Sequence, residues 1–274
     1  MMAAMGTGNV YFDLTEELNA EGDIAVLASG QAVVFYKISM MSKDGDWILR
    51  ETPEACRKAI EILERHGARY RPGAPLDVRW LSGGWSSHFE LADMERRRIR
   101  CDFVSRPPRM SSEEIRGLFD PARPAVPLRV LGIEPLIRIK QTQRAKDYPV
   151  IGELSRRLPP EREIEFTTDP DRILALASAY GQASERAPVQ AAFAGGSRDA
   201  VVVELARELD RLQQKDRGRL EKYRTSSLSY LKEFQASRIG DLPLPAAHER
   251  LCELAEDLLP RNPLVQEASD GTAQ

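Results

Sequence analysis

The chain has 274 residues, which at roughly 150 residues per domain makes one large domain or two small ones. With 42% hydrophobic and 30% charged residues it can bury a sizeable core, and wholesale disorder is excluded. Lys+Arg total 39 against 42 Asp+Glu, so the formal charge of −3 gives no global case for a nucleic-acid binder and leaves only a local basic face open.

Residues 10–20 read as a short helix that ends near Gly22. Ile24–Ala28 is an apolar run with the length of a buried strand. Ser29-Gly30 punctuates it, and Gln31–Ile38 reads as helical. Asp44–Leu49 is a second strand. Thr52-Pro53 then opens a helix with Thr at the N-cap and Pro at the first helical position. Ala55, Ala59, Ile62, Leu63 and His66 fall on the apolar face of that helix, so His66 is expected to be packed, and Gly67 stops it. Leu76–Leu81 alternates like a strand, Gly83-Gly84 marks a turn, and His88–Leu91 and Ile99–Val104 are further strands.

Five prolines between residues 107 and 127 mark a connecting segment. Helices follow at about 133–143, 145–158, 169–181, 198–216, 217–237 and 246–258, with a loop at 183–196. The expected fold class is α/β (α+β). A small mixed-sheet domain spans 1–108, an α-helical domain spans 109–259 and a frayed tail spans 260–274, with a cleft between the two domains. Cys56, Cys101 and Cys252 are far apart and odd in number, which argues against a disulfide framework and a thiolate zinc site and fits a reducing cytoplasm. No apolar stretch approaches the roughly 18–20 residues of a membrane span, and the N-terminus lacks a secretory pattern.

The chemistry-bearing feature is Asp44-Gly45-Asp46. Residues i and i+2 of a strand share a face, and two carboxylates side by side repel unless a cation or a proton separates them. Mg²⁺ prefers oxygen ligands and is commonly held by one or two carboxylates plus phosphates. A third acid, Asp102, sits in an apolar pattern on a later strand and completes the set if the two strands are neighbours. The Ser29-Gly30 junction opens a helix with free N–H groups suited to phosphate. The alternatives are a solvated turn at Asp44-Gly45-Asp46 and a salt bridge from Asp102 to Arg98 or Arg100.

Leu27-Ala28-Ser29-Gly30-Gln31-Ala32, then Ser42-Lys43-Asp44-Gly45-Asp46-Trp47-Ile48, then Arg100-Cys101-Asp102-Phe103-Val104 together resemble the nucleotidyltransferase fold of the polymerase-beta type. The nearest branch is the AbiEii-like and MenT-like group known among toxins of toxin–antitoxin systems. The block from Leu136 to Asp147, followed by Leu154, is similar to a helix pair of the same group, so the resemblance covers about residues 24–157.

That resemblance implies a nucleoside triphosphate bound with Mg²⁺ and a nucleotidyl group moved to an acceptor hydroxyl on RNA (such as the end of a tRNA), on a protein or on a small molecule. It implies Asp44, Asp46 and Asp102 as metal ligands, with Asp102 also a candidate base. Ser29 and Gly30 would contact the triphosphate, Lys140, Arg144 and Lys146 would contact phosphate, and Asp147 would be a structural or catalytic acid. It further implies a protein antitoxin as partner.

Ser29-Gly30 departs from the usual glycine pair of the group, Gly45 stands where Ile or Val is usual, and Val150 replaces a second Asp. These departures motivate the alternative, a non-catalytic binding or regulatory module that engages a protein partner. Lys140, Arg144 and Lys146 could equally form a solvated helical face paired with Asp147.

Overall fold

The computed structural model describes residues 8–93, 95–124, 126 and 128–264. In chain order the helices are α1 (Val10–Leu18), α2 (Ser29–Phe35), α3 (Pro53–Arg65), α4 (Val78–Leu81), α5 (Ser112–Leu118), α6 (Ile133–Lys140), α7 (Asp147–Ser155), α8 (Pro160–Glu163), α9 (Pro170–Tyr180), α10 (Ala187–Phe193), α11 (Arg198–Ser226), α12 (Leu228–Ala236) and α13 (Leu244–Leu258). The strands are β1 (Ala25–Ala28), β2 (Asp44–Leu49), β3 (Arg69–Tyr70), β4 (Ser86–Ala92) and β5 (Arg98–Val104).

The strands form one mixed sheet in the order β1-β2-β5-β4-β3. The β2/β5 pair is parallel and the others are antiparallel. This is the mixed α/β class expected from the sequence. No helix among the described residues is long and apolar enough to cross a membrane.

The chain divides into two compact units, and the division departs from the expected boundary near residue 108. The first unit takes the described residues up to 31, residues 41–130 and those from 220 onward; the second takes 32–40 and 131–219. The physical reason is in the core. Tyr230, Phe234, Leu244, Leu251 and Leu254 of α12 and α13 belong to the same buried cluster as Trp47, Phe89 and Phe103 of the sheet, so the last helices complete the first unit. The second unit has its own core of Ile164, Ile173, Leu176, Val189, Val201 and Leu205.

Local chemistry explains the elements. Thr52 accepts a hydrogen bond from Ala55 N–H at 3.2 Å and starts α3 as expected. His66, at the other end of α3, is exposed instead of packed, with Nε2 2.6 Å from Glu17 Oε2. The expected strand over 76–81 is a helix turn, because Asp77 Oδ1 accepts Arg79 N–H at 2.8 Å and caps α4. A capping box of Ser111 and Glu114 starts α5 inside the proline-rich connection. The expected loop at 183–196 holds α10, and residues 198–226 form a single 29-residue helix. Glu204 pairs with Arg207, but Glu208 turns to Arg186, 2.7 Å away.

Residues 260–264 do not fray. The Trp80 and Trp85 indoles donate to the carbonyls of Leu259 and Pro260 at 3.2 and 2.8 Å, and the Arg261 guanidinium lies over the Trp80 ring at 4.4 Å. The rest of the expected tail lies outside the described residues. Gly83 permits this docking, since a Cβ there would stand 1.7 Å from the Arg261 carbonyl oxygen. Gly83→Ala is therefore expected to release the segment and lower stability by about 2 kcal/mol, the worth of two net hydrogen bonds. The readout is urea unfolding followed by tryptophan emission, which shifts to the red when the indoles meet water.

Candidate functional site

The site is built on β2 and β5. Their parallel register pairs Asp44 with Arg100, Gly45 with Cys101 and Asp46 with Asp102. In-register neighbours point to the same side of a sheet, so Asp44, Asp46 and Asp102 share one face. Ala28, the last residue of β1, pairs with Asp46, so the chain enters Ser29-Gly30 beside the acids.

Helix α1 holds β2 in place. The Tyr11 hydroxyl donates to the Lys43 carbonyl at 2.6 Å, and Trp47 Nε1 donates to Thr15 Oγ1 at 2.8 Å. Burial, with Cys101 and Asp44 close by, pushes the Tyr11 phenol up to about 12, so it stays a hydrogen-bond donor at neutral pH. Burial, followed by the charges of Asp102 and Asp46, likewise pushes the Cys101 thiol up and keeps it protonated. Gly45 between the two acids has a steric reason. A Cβ there would meet Tyr11 Cδ1 and Trp47 Cη2, each at 2.4 Å.

Ser29 stands at φ +47°, a left-handed conformation that a non-glycine residue adopts at a cost of about 1 kcal/mol or more. Gly30 is required by close approach, since a Cβ would stand 2.2 Å from Ser42 Oγ. Gln31 Nε2 donates to the Ser42 carbonyl at 2.9 Å and ties the start of α2 to the segment leading into β2.

The three carboxylates share a face without converging on one point. Asp102 Oδ1 lies 3.3 Å from Arg71 Nη1 and 2.8 Å from His88 Nδ1. The His88 contact is at ion-pair distance but out of line for a hydrogen bond, since that nitrogen has no hydrogen-bond partner. His88 is the register partner of Asp102 on β4, and its Nε2 stands 2.9 Å from Ser86 Oγ. Asp44 Oδ1 is 3.6 Å from Arg100 Nη1, is buried, and has no hydrogen bond.

The salt bridge expected from Asp102 to Arg98 or Arg100 is therefore made by other cations. Arg98 pairs with Glu90, Arg100 faces Asp44, and Arg71 takes Asp102. Among the described residues the trio whose donor atoms all lie within 4.8 Å of one another is Asp77, His248 and Cys252, not the three aspartates. The acid set still suits a hard cation in one respect. The orphaned Asp44 oxygen and the adjacent Asp46 and Asp102 offer oxygen donors on one face.

In the second unit, Asp147 gathers the expected phosphate ligands. Buried Lys140 brings Nζ to 3.7 Å from Asp147 Oδ1, while Arg144 Nε donates to Oδ2 at 3.0 Å. Thr142 Oγ1 donates to the same oxygen at 2.8 Å. Lys140 is thus a buried ion-pair partner and not part of a solvated face, whereas Arg144 and Lys146 are exposed. The run Arg96-Arg97-Arg98 is bound locally, with Arg97 on Asp93 and Glu95.

In the sequence His88 has no ligand partner at a recognisable spacing and Arg71 carries no signal, because cross-strand register, not sequence spacing, brings them to Asp102. No family model and no curated protein matches this sequence. Similarity to solved structures includes a crystal structure from H. pylori described as a presumed nucleotidyltransferase, which matches over 75% of this chain and 92% of that one at 12% identity and a TM-score of 0.36.

Proposed function

We propose that this chain is a Mg²⁺-dependent nucleotidyltransferase. The supporting observation is the β2/β5 register, which sets Asp46 beside Asp102 with Asp44 two residues away on the same face, next to the Ser29-Gly30 turn. Asp44 and Asp46 would hold the cation, which when bound neutralises phosphate oxygens and orients the triphosphate. Ser29 and Gly30 would position the phosphates. The acceptor hydroxyl oxygen attacks the α-phosphorus, the bond to the pyrophosphate leaving group breaks, and the hydroxyl proton passes to Asp102. Arg71 and His88 lie against Asp102 and fix its position, and it would serve as that base or as a third ligand of the cation.

The acceptor class is a hydroxyl of RNA, of a protein or of a small molecule. A role as the toxin of a two-gene pair, countered by a protein antitoxin, belongs to the same reading. The test is consumption of each nucleoside triphosphate with Mg²⁺. Asp44→Asn and Asp46→Asn are each expected to lower turnover about a hundredfold, or ~2.7 kcal/mol of barrier, with an unchanged circular dichroism spectrum. Turnover that survives both substitutions rejects the site.

One observation favours a second reading. Arg71 and Arg100 already sit against Asp102 and Asp44, as they would in a binding module that has no need of a cation. Calorimetry separates the two readings. Heat with a triphosphate plus Mg²⁺ supports the enzyme, and its absence alongside a measurable protein complex supports the module.

A further inference from the structure

A second cluster of chemistry-bearing side chains lies within the first unit, outside the aspartate face. His248 and Cys252 stand four residues apart on α13 and so share one helix face. His248 Nε2 is 3.7 Å from Cys252 Sγ, and Cys252 Sγ is 4.0 Å from Asp77 Oδ2. The three donor atoms all lie within 4.8 Å of one another. Asp77 and His248 also line a cavity of about 460 Å³ between α3, α4 and α13, together with Cys56, Arg57 and Glu61.

We propose that Asp77, His248 and Cys252 bind a divalent cation of the zinc class, with one coordination position facing this cavity. One carboxylate, one imidazole and one thiolate make a poor set for Mg²⁺, which takes oxygen donors, and a good one for a borderline-soft ion. Zinc-to-sulfur bonds near 2.3 Å and zinc-to-nitrogen or oxygen bonds near 2.0 Å place tetrahedral donors about 3.3–3.6 Å apart. The separations of 3.7 and 4.0 Å from the sulfur to His248 and to Asp77 need close by only a few tenths of an ångström to reach that geometry.

The surroundings fit as well. Tyr70 Oη sits 2.8 Å from His248 Nδ1, and the two rings lie nearly parallel with centroids 6.1 Å apart. Leu76 N–H donates to that same phenol oxygen at 3.0 Å. The imidazole is thereby fixed with Nε2 toward the sulfur, the kind of outer support that ligating histidines usually have. Asp77 accepts from Arg79 backbone N–H and Nε at Oδ1, and from Nη2 at Oδ2, at 2.8–2.9 Å. A helix cap and its arginine account for those three bonds. They do not account for a histidine and a cysteine that converge on the same carboxylate, with the histidine and the carboxylate lining a cavity. Three protein ligands with an open position are the arrangement of a zinc site that binds a further molecule.

The experiment uses the full chain, reduced and stripped of metal with a chelator. Zn²⁺ is titrated by calorimetry, and Co²⁺ by absorbance, where a bound thiolate gives a near-ultraviolet charge-transfer band. One equivalent of each ion is expected to bind, with the sulfur band present. Cys252→Ser is expected to abolish the band, His248→Ala to weaken zinc at least tenfold, and Tyr70→Phe to weaken it about 10–100-fold. Asp44→Asn and Asp46→Asn are expected to leave the Zn²⁺ isotherm and the cobalt band unchanged, so this site stands or falls apart from nucleotidyl transfer.

Circular dichroism checks that each variant is folded. No zinc uptake by the unmodified chain overturns the proposal, as does a sulfur band that persists in folded Cys252→Ser. A site lost through the aspartate variants overturns it too.

Discussion

Asp147→Ala is expected to destabilise the second unit by about 3–5 kcal/mol, the range for removing one partner of a buried ion pair. At the entropy typical of a domain this size, the unfolding midpoint of the unit falls by roughly 15–25 °C. The carboxylate neutralises Lys140, whose side chain is 7% exposed, and also takes Arg144 and Thr142. Removing it leaves the Lys140 charge buried beside an apolar methyl. Lys140→Met with Asp147→Ala removes both charges and is expected to recover most of the loss, because replacing a buried pair by apolar groups is often close to neutral. Arg144 is half exposed and turns to water in either variant. Thermal and urea unfolding of the two variants decide the matter; equal losses would show that the pair is not what holds this corner together.

Gly45→Val is expected to cost about 3 kcal/mol, at the upper end for forcing extra carbon into a packed core. The obstruction cannot swing aside. Trp47 is fully buried, stacked on Phe103 with ring centroids 5.2 Å apart, and bonded through its indole to Thr15. Tyr11, on the other side, is tied to Lys43. The strand itself must shift, which moves Asp44 and Asp46 relative to Asp102. Turnover is therefore expected to fall further than the loss of folded protein explains, as activity per folded molecule at low temperature would reveal. The residue that looks from the sequence like a weakness in the strand is the one that lets the rings of α1 and β2 close over it.

Strand β2 is legible in the sequence residue for residue, because Trp47, Ile48 and Leu49 follow two acids spaced to share one face and the Thr52-Pro53 helix start closes the segment. The same holds for β5 and for the Thr52-Pro53 start of α3. Residues 76–81 were harder, since alternation and a cap compete over so short a stretch, and the Asp77 cap wins. Helix α5 is hidden in the sequence by the surrounding prolines, which read as a connecting segment, and β3 has only two residues and owes its existence to β4. At the candidate site, the sharing of a face by Asp44 and Asp46 follows from strand periodicity. The partners of Asp102 do not, because Arg71 and His88 reach it across the sheet. The sequence argues against a thiolate metal site, and His248 shows no ligand partner at a recognisable spacing there, because its convergence with Cys252 and Asp77 depends on α13 returning to the sheet.

That return has a consequence for how the protein is made. Synthesis runs from the first residue to the last, so Tyr70, Trp80 and Phe89 leave the ribosome long before Tyr230, Phe234 and Leu251, which cover them, have been translated. The nascent sheet must wait with its greasy side open while residues 131–219 of the second unit are synthesised, an interval in which a chaperone has something to hold and a stalled chain has something to aggregate through.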